Sequence, residues 1–140
     1  MKNARSITQL SLIACLGLFT SFIAHSAQEV SQQELSTLLT EAVAGVNAQA
    51  PITLDAETVL ESAATVRDLM IYNNTMINFS ASDLDAELFS QNIQELVINP
   101  LCDNPGLAIF KQYKVTLVYR YIGKDGRFIA ELDKDMGTCD

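Results

Sequence analysis

Few side chains in this 140-residue sequence can act as nucleophiles, general bases or metal ligands. The one histidine is His25, and the three cysteines are Cys15, Cys102 and Cys139. The sequence contains neither a Walker-type phosphate loop nor a G-x-G-x-x-G segment, the two commonest phosphate-binding motifs. Apart from the histidine and the cysteines, the side chains that could do chemistry are carboxylates, a few basic groups and four tyrosines.

The N-terminus has the order of regions found in a secretory signal peptide. Lys2 and Arg5 precede an uncharged run, and small residues and then polar ones follow it. This order predicts a signal peptide over residues 1–27 and a single mature domain over residues 28–140. The apolar part, Leu10 to Ala24, is shorter than the roughly 20 residues that span a bilayer, so we expect no membrane span in the mature chain.

Cys15 leaves a second interpretation of the N-terminus open. The segment Leu12 to Cys15 has the form of a lipobox, in which Cys15 is the lipid attachment site and the first mature residue. Against this, the apolar run continues beyond Cys15 instead of changing to a polar tether. Cleavage after Ser26 or Ala27 is therefore favoured over lipidation. We expect an exported, periplasmic bacterial protein, with a lipid-anchored form as the alternative.

Removal of the signal peptide also removes His25, and with it most histidine-dependent chemistry. Without imidazole, the mature domain lacks the usual general base of catalytic triads and a common zinc ligand. Two cysteines remain, and an even pair in an oxidising compartment favours a disulfide between Cys102 and Cys139 over two buried free thiols. A thiol nucleophile is then absent as well.

The charge of the mature domain is strongly negative. Two of the nine basic residues, Lys2 and Arg5, lie in the predicted signal, which leaves seven basic against seventeen acidic residues and a formal charge of about −10. Such a surface repels phosphate backbones and anionic lipid head groups. We therefore expect no nucleic-acid partner and no electrostatic docking on membranes, whereas basic proteins remain suitable partners.

The carboxylates do not form a recognisable catalytic or metal-binding pattern. Asp83, Asp85 and Glu87 fall in the first turn of a predicted helix, where negative charge is stabilised by the helix dipole. The run from Asp133 to Asp140 lacks the spacing of a calcium loop and is typical of a solvated tail. We predict no catalytic residue, no metal ligand and no cofactor site.

Local patterns predict the secondary structure. A capping box formed by Ser31 and Glu34 begins a first helix, whose apolar positions continue to Val46. β-Branched and aromatic residues then predict two strands, Thr58 to Val66 and Leu69 to Phe79, with the reversal at Arg67-Asp68.

Local patterns also predict the helices and strands of the C-terminal half. Ser82 and Asp85 cap a second helix that Pro100 ends after about Asn99, and a short third helix runs from Pro105 to Gln112 with Asp103 or Asn104 as its cap. Strands Lys114 to Ile122 and Phe128 to Asp133 flank Lys124-Asp125-Gly126, a strong hairpin signal. The order α-β-β-α-α-β-β predicts an α+β fold, with an antiparallel sheet of about four strands covered on one face by two to three helices.

Four residues on the predicted strands form a candidate partner surface: Met70, Tyr72, Met76 and Arg120. The first three share one face of their strand, which either lies under a helix or, if uncovered, offers the soft groups that suit peptide binding. Arg120 either pairs across the hairpin with Glu131 or Asp133, or recognises an acidic group on a partner.

Two segments carry a resemblance to a known class of proteins. Asp68 to Asn73, and the pattern Cys102…Lys114 to Tyr121…Gly126…Cys139, resemble small exported bacterial domains, among them type II secretion pilotins of the AspS kind. The resemblance covers about Ile52 to Cys139. It implies joined cysteines, helices on one face of a sheet, and a role like that of pilotins, lipoproteins that grip a C-terminal helix of the secretin and bring it to the outer membrane. Carried over, it implies lipid on Cys15, where the sequence departs from the family.

Three hypotheses for function follow. The leading one is a non-enzymatic periplasmic protein-binding domain, pilotin-like in fold, that grips a segment of another envelope protein. The alternative is an acidic inhibitor or immunity protein that neutralises a basic cell-wall enzyme or toxin, with salt-sensitive binding. The third is a carboxylate-based hydrolase, which requires a cleft with a raised-pKa Asp or Glu. The sequence does not specify the oligomeric state.

Overall fold

The computed structural model describes residues 31–139. The signal-peptide prediction for residues 1–27 and the lipid-site prediction for Cys15 lie outside these residues. Along the described part of the chain, no helix has both the length and the apolar character needed to cross a membrane.

The chain forms three α-helices and five strands in the described range. The helices are α1 (Gln32–Asn47), α2 (Ala86–Ile93) and α3 (Ala108–Gln112), and the strands are β1 (Ile52–Thr53), β2 (Thr58–Val66), β3 (Leu69–Met76), β4 (Thr116–Gly123) and β5 (Phe128–Asp135). Shorter 3₁₀ turns occupy Ala81–Asp83, Asn99–Asp103, Pro105–Leu107 and Met136–Thr138, and a π-helical turn occupies Gln94–Ile98.

The sheet is mixed, which corrects the antiparallel prediction. Its order is β1-β2-β3-β4-β5, and β3 and β4 pair in parallel, whereas the other neighbours are antiparallel. The reason is the long connection between β3 and β4, which carries α2 and α3 over the sheet and brings β4 in along the direction of β3. The predicted count of four strands omitted β1, because two residues are too short to show an alternating pattern.

The helix signals are confirmed with two corrections. Ser31 forms the predicted capping box with Glu34, and the side chain of Asn104 accepts from the backbone N–H of Gly106 at the start of the third helical segment. The second helix is capped by Asp85 instead of Ser82. It ends as an α-helix at Ile93, not near Asn99, and continues as the π-helical turn.

The two faces of the sheet differ in what packs on them. Side chains of alternate strand residues, such as Met70, Met76 and Leu117, form two apolar clusters with residues from the helices. We call this the covered face. The opposite side chains, among them Ile71, Val118 and Arg120, form what we call the open face, and neither of these two clusters includes them. One-sided coverage therefore agrees with the sequence prediction.

A disulfide closes the C-terminal part of the fold as predicted. Cys102 and Cys139 are bonded, with their Cα atoms 5.3 Å apart. The ammonium group of Lys111 donates a hydrogen bond to the carbonyl oxygen of Cys102. The disulfide thus joins the 3₁₀ segment Asn99–Asp103 to the segment that follows β5.

Helix α1 packs on the sheet through the buried Leu35 and Leu39, and one polar side chain also joins it to the edge of the sheet. Asn47, the last residue of α1, donates through Nδ2 to the carbonyl oxygen of Ala63 at 3.0 Å and accepts through Oδ1 from the N–H of Ala63 at 2.7 Å. These are the two hydrogen bonds that a neighbouring strand makes with one residue. The amide of Asn47 therefore takes the place of a strand at this point of β2.

Candidate protein-binding groove

The four residues of the predicted partner surface do not lie on one surface. Met70 and Met76 are buried on the covered face, with exposures of 1% and 6%, and Tyr72 stacks against Tyr119 with ring centroids 5.0 Å apart. The simpler interpretation, a strand face under helices, therefore holds for these three. Arg120 lies on the open face, on the far side of the sheet.

Arg120 makes the cross-strand pair that the sequence suggested. Its Nε donates to Oε2 of Glu131 at 2.6 Å, and the two residues are directly opposite each other in the β4–β5 register. Both side chains are about 40% exposed. Because exposed ion pairs contribute about 0–1 kcal/mol, this pair orients Arg120 more than it stabilises the fold.

The covered face is left partly uncovered at one end, and this produces a groove. The groove has a volume of about 500 Å³. Thr58 and Met76 line it from the strands, and Phe89, Ile93 and Leu96 line it from the second helical segment. We call it the α2 groove.

Aromatic packing beside the α2 groove holds its helical wall against the sheet. The rings of Phe89 and Tyr121 meet edge to face, with centroids 5.2 Å apart, and the hydroxyl of Thr58 donates to the sulfur of Met76 at 3.7 Å. Burial, and then the negative charge of Asp55, raise the pKa of Tyr121 to about 12. A tyrosine is neutral at physiological pH even without this shift, so Tyr121 adds no charge to this end of the sheet.

The helical segment that forms one wall of the groove carries two exposed leucines. Leu96 lines it and is 74% exposed, the largest value among the exposed large apolar residues of the described chain, and Leu88 on α2 is 57% exposed. Leu96 lies in the π-helical turn Gln94–Ile98, a type of irregularity that occurs often at functional sites. Apolar side chains grouped around a concavity are typical of surfaces that bind another molecule.

The rim of the groove opposite α2 is acidic and well ordered by hydrogen bonds. Asp55 accepts through Oδ1 from the backbone N–H groups of Glu57 and Thr58, both at 2.8 Å. Asp55 and Glu57 are exposed and line the groove. The groove thus combines an apolar interior with negative charge on one side, which suits binding of an apolar segment that carries basic residues.

The groove offers binding chemistry and no recognisable catalytic arrangement. Its only ionisable side chains are Asp55 and Glu57, and the first of these holds the turn between β1 and β2. In the range 31–139, no three His, Cys, Asp or Glu side chains group as metal ligands.

No protein-family model matches the sequence, and no curated protein does. Solved structures do match. A protein described as secreted, from Pseudomonas aeruginosa, is 18% identical with a TM-score of 0.64, and the match covers 78% of this chain and 96% of that one.

Two type II secretion pilotins also match. EpsS of Vibrio vulnificus is 11% identical with a TM-score of 0.59, covering 78% of this chain and 94% of the pilotin. AspS of Vibrio cholerae is 11% identical with the same TM-score, covering 77% and 94%. At these identities the likeness concerns the fold, and it confirms the pilotin-like fold that the cysteine and strand pattern indicated.

Proposed function

We propose that this domain is a non-enzymatic binding protein that holds a segment of another envelope protein in the α2 groove. The observation that carries the proposal is the groove itself, an apolar concavity whose helical wall exposes Leu96. The shared fold with two secretion pilotins supports the same class of role. The inhibitor alternative has no comparable support from the structures that match.

The exposed apolar wall and the acidic rim of the groove suit an amphipathic peptide segment. The groove is open to solvent, so such a segment can lay several side chains into it, in the manner of helix-in-groove recognition. Burial of one leucine contributes about 1.5–3 kcal/mol, and Leu96 is mostly exposed without a partner. A partner that covers Leu96 therefore gains a substantial part of its affinity there.

The test is site-specific photo-crosslinking in the native host. A photoreactive amino acid at position 96 is expected to form an adduct with one envelope protein, which mass spectrometry identifies. The matched control is position 66, because Val66 is also apolar and 54% exposed but lies on the open face. Adducts from both positions alike, or from neither, in folded and exported protein, would overturn the proposal.

A second arm uses a substitution and the partner identified in this way. Leu96→Glu is expected to leave the melting temperature within about 2 °C of the wild type, because an exposed side chain contributes little to stability. It is expected to weaken the complex at least about tenfold, because the variant loses the leucine contact and places a charged group in an apolar interface. Val66→Glu is the control and should bind normally.

We also propose that residues 1–27 direct export and are removed, so that the mature domain begins near residue 28 in the periplasm. The support is the order of basic, apolar and small residues at the N-terminus. The intact mass of the protein from its native host tests this, because it gives the first mature residue and any lipid on Cys15. A lipid-modified Cys15 would replace the soluble form with an anchored one and would strengthen the pilotin parallel.

A further inference from the structure

A second concavity lies on the open face, behind the sheet from the α2 groove. It has a volume of about 280 Å³ and is formed by β2, β3 and β4. The pairing of β2 with β3 shifts between Leu60 and Ser62, and such a bulge bends a strand away from its neighbour. Ser62, Asn73, Thr75 and Arg120 line the pocket that results. We call it the Arg120 pocket.

Hydrogen-bond donors remain available in the Arg120 pocket. Glu131 accepts only from Nε of Arg120, and within residues 31–139 the two Nη groups have no hydrogen-bond acceptor. Asn73 donates through Nδ2 to the hydroxyl oxygen of Ser62 at 3.1 Å, which leaves the hydroxyl hydrogen of Ser62 free to donate elsewhere. An oriented guanidinium beside a hydroxyl donor is the arrangement that binds carboxylates, through short charge-assisted hydrogen bonds.

The surrounding charges limit which anion can bind. Arg120 is the one basic residue among the open-face strand positions of the described chain. Glu61 lines the pocket and Glu131 lies beside it, so a doubly charged anion such as phosphate meets two negative groups. A singly charged carboxylate meets less repulsion, and Ile122 in the pocket wall can contact an apolar group attached to it.

We propose that the Arg120 pocket binds a carboxylate carried on a small apolar group. Chemically, this is a C-terminal carboxylate or an acidic side chain of a peptide. Arg120 supplies the charge, Ser62 supplies a second donor, and Glu131 fixes the orientation of the guanidinium. The site is independent of the α2 groove, so failure of the groove proposal leaves this one standing.

The test is a titration of the isotope-labelled protein followed by NMR. The two probes are N-acetyl-leucine, with a terminal carboxylate, and N-acetyl-glutamic acid amide, whose only carboxylate is on the side chain. The neutral control is N-acetyl-leucine amide. We expect saturable shifts of the Ser62, Asn73 and Arg120 signals with at least one carboxylate and none with the neutral compound. The tighter of the two probes identifies the source of the carboxylate.

Two variants separate binding from structure. Arg120→Met should abolish the shifts, whereas Arg127→Met, which removes an exposed arginine of the neighbouring turn, should not. Glu131→Gln keeps an oxygen that can accept from Nε of Arg120 but removes the competing negative charge, so it is expected to tighten binding about two- to fivefold, a gain that a loss of folding cannot produce. Three results would overturn the proposal: signal shifts that are absent or do not saturate, equal shifts with the neutral compound, or a Glu131→Gln variant that binds the carboxylate no more tightly than the wild type.

Discussion

Replacement of Asn47 by alanine tests how much the amide of Asn47 contributes to the attachment of α1 to the sheet. Both hydrogen bonds of this amide go to the backbone of Ala63, at 3.0 and 2.7 Å, and Ala63 is only 5% exposed. In Asn47→Ala, the N–H and C=O of Ala63 lose their partners in a place where water has little access. The variant removes no large apolar side chain, so its effect on stability reports mainly on the two hydrogen bonds.

The expected loss of folding free energy follows from the two hydrogen bonds, less a gain in helix propensity. Each hydrogen bond contributes about 0.5–1.5 kcal/mol net, and an unsatisfied buried group costs about 1–3 kcal/mol. Alanine is the better helix former by roughly 0.6 kcal/mol, which offsets part of the loss at the end of α1. We expect a net destabilisation of about 1.5–2.5 kcal/mol, or a fall in melting temperature of roughly 6–12 °C for a domain of this size.

Chemical denaturation and thermal melting measure this effect together. Asn47→Asp is the isosteric comparison: it keeps an acceptor for the N–H of Ala63 but places a carboxylate oxygen against the carbonyl, so its loss should equal or exceed that of the alanine variant. Asn78→Ala is the matched control, because Asn78 makes one exposed bond to the carbonyl oxygen of Ala56 at 3.1 Å. A melting temperature for Asn47→Ala within about 2 °C of the wild type would refute the role given to this amide.

Three further outcomes are expected. Removal of the disulfide in Cys102→Ser/Cys139→Ser should lower the free energy of unfolding by about 2–5 kcal/mol, measured by urea denaturation. Asp85→Ala should cost about 1 kcal/mol by the same assay, because Asp85 accepts from the N–H groups of Glu87 and Leu88 at 3.0 and 2.9 Å, whereas Ser82→Ala should be nearly neutral. Burial raises the pKa of Tyr121 to about 12, above the roughly 10 of an unfolded tyrosine, so its contribution to stability is complete below pH 10 and is lost as the pH rises toward 12. Ultraviolet titration of Tyr121→Phe against the wild type identifies this ionisation, and a midpoint near pH 10 would contradict the burial argument.

Sequence patterns predicted those parts of the fold that depend only on residues close together in the sequence. The β4–β5 hairpin follows from Asp125-Gly126, since Gly126 has a φ of +74° that a turn of this kind requires. The capping box at Ser31 likewise depends on two residues of one turn. The direction of β4 beside β3 depends instead on where a long connection crosses the sheet, and no pattern within either strand encodes it.

Close contacts between distant segments were equally invisible in the sequence. Gly123 shows no special turn conformation, yet a Cβ atom there would lie 2.6 Å from the backbone nitrogen of Ala81. The side chain of Asp125 accepts from the same N–H at 3.2 Å. The hairpin and the 3₁₀ turn before α2 are therefore packed backbone against backbone, which fixes the end of the sheet where the α2 groove opens.

Of the predicted partner residues only Met76 lines the α2 groove, because a groove between a helical segment and the end of a sheet leaves no pattern in neighbouring residues. The helical residues that line the groove, Phe89, Ile93 and Leu96, follow one another at spacings of four and three residues and therefore lie along one side of the segment. In the turn Gln94–Ile98 each hydrogen bond spans five residues, and Ile98 is fully buried. Leu96 lies in the same turn and is 74% exposed. An exposed leucine on the wall of an apolar groove is thus the feature on which the proposed binding role most directly rests.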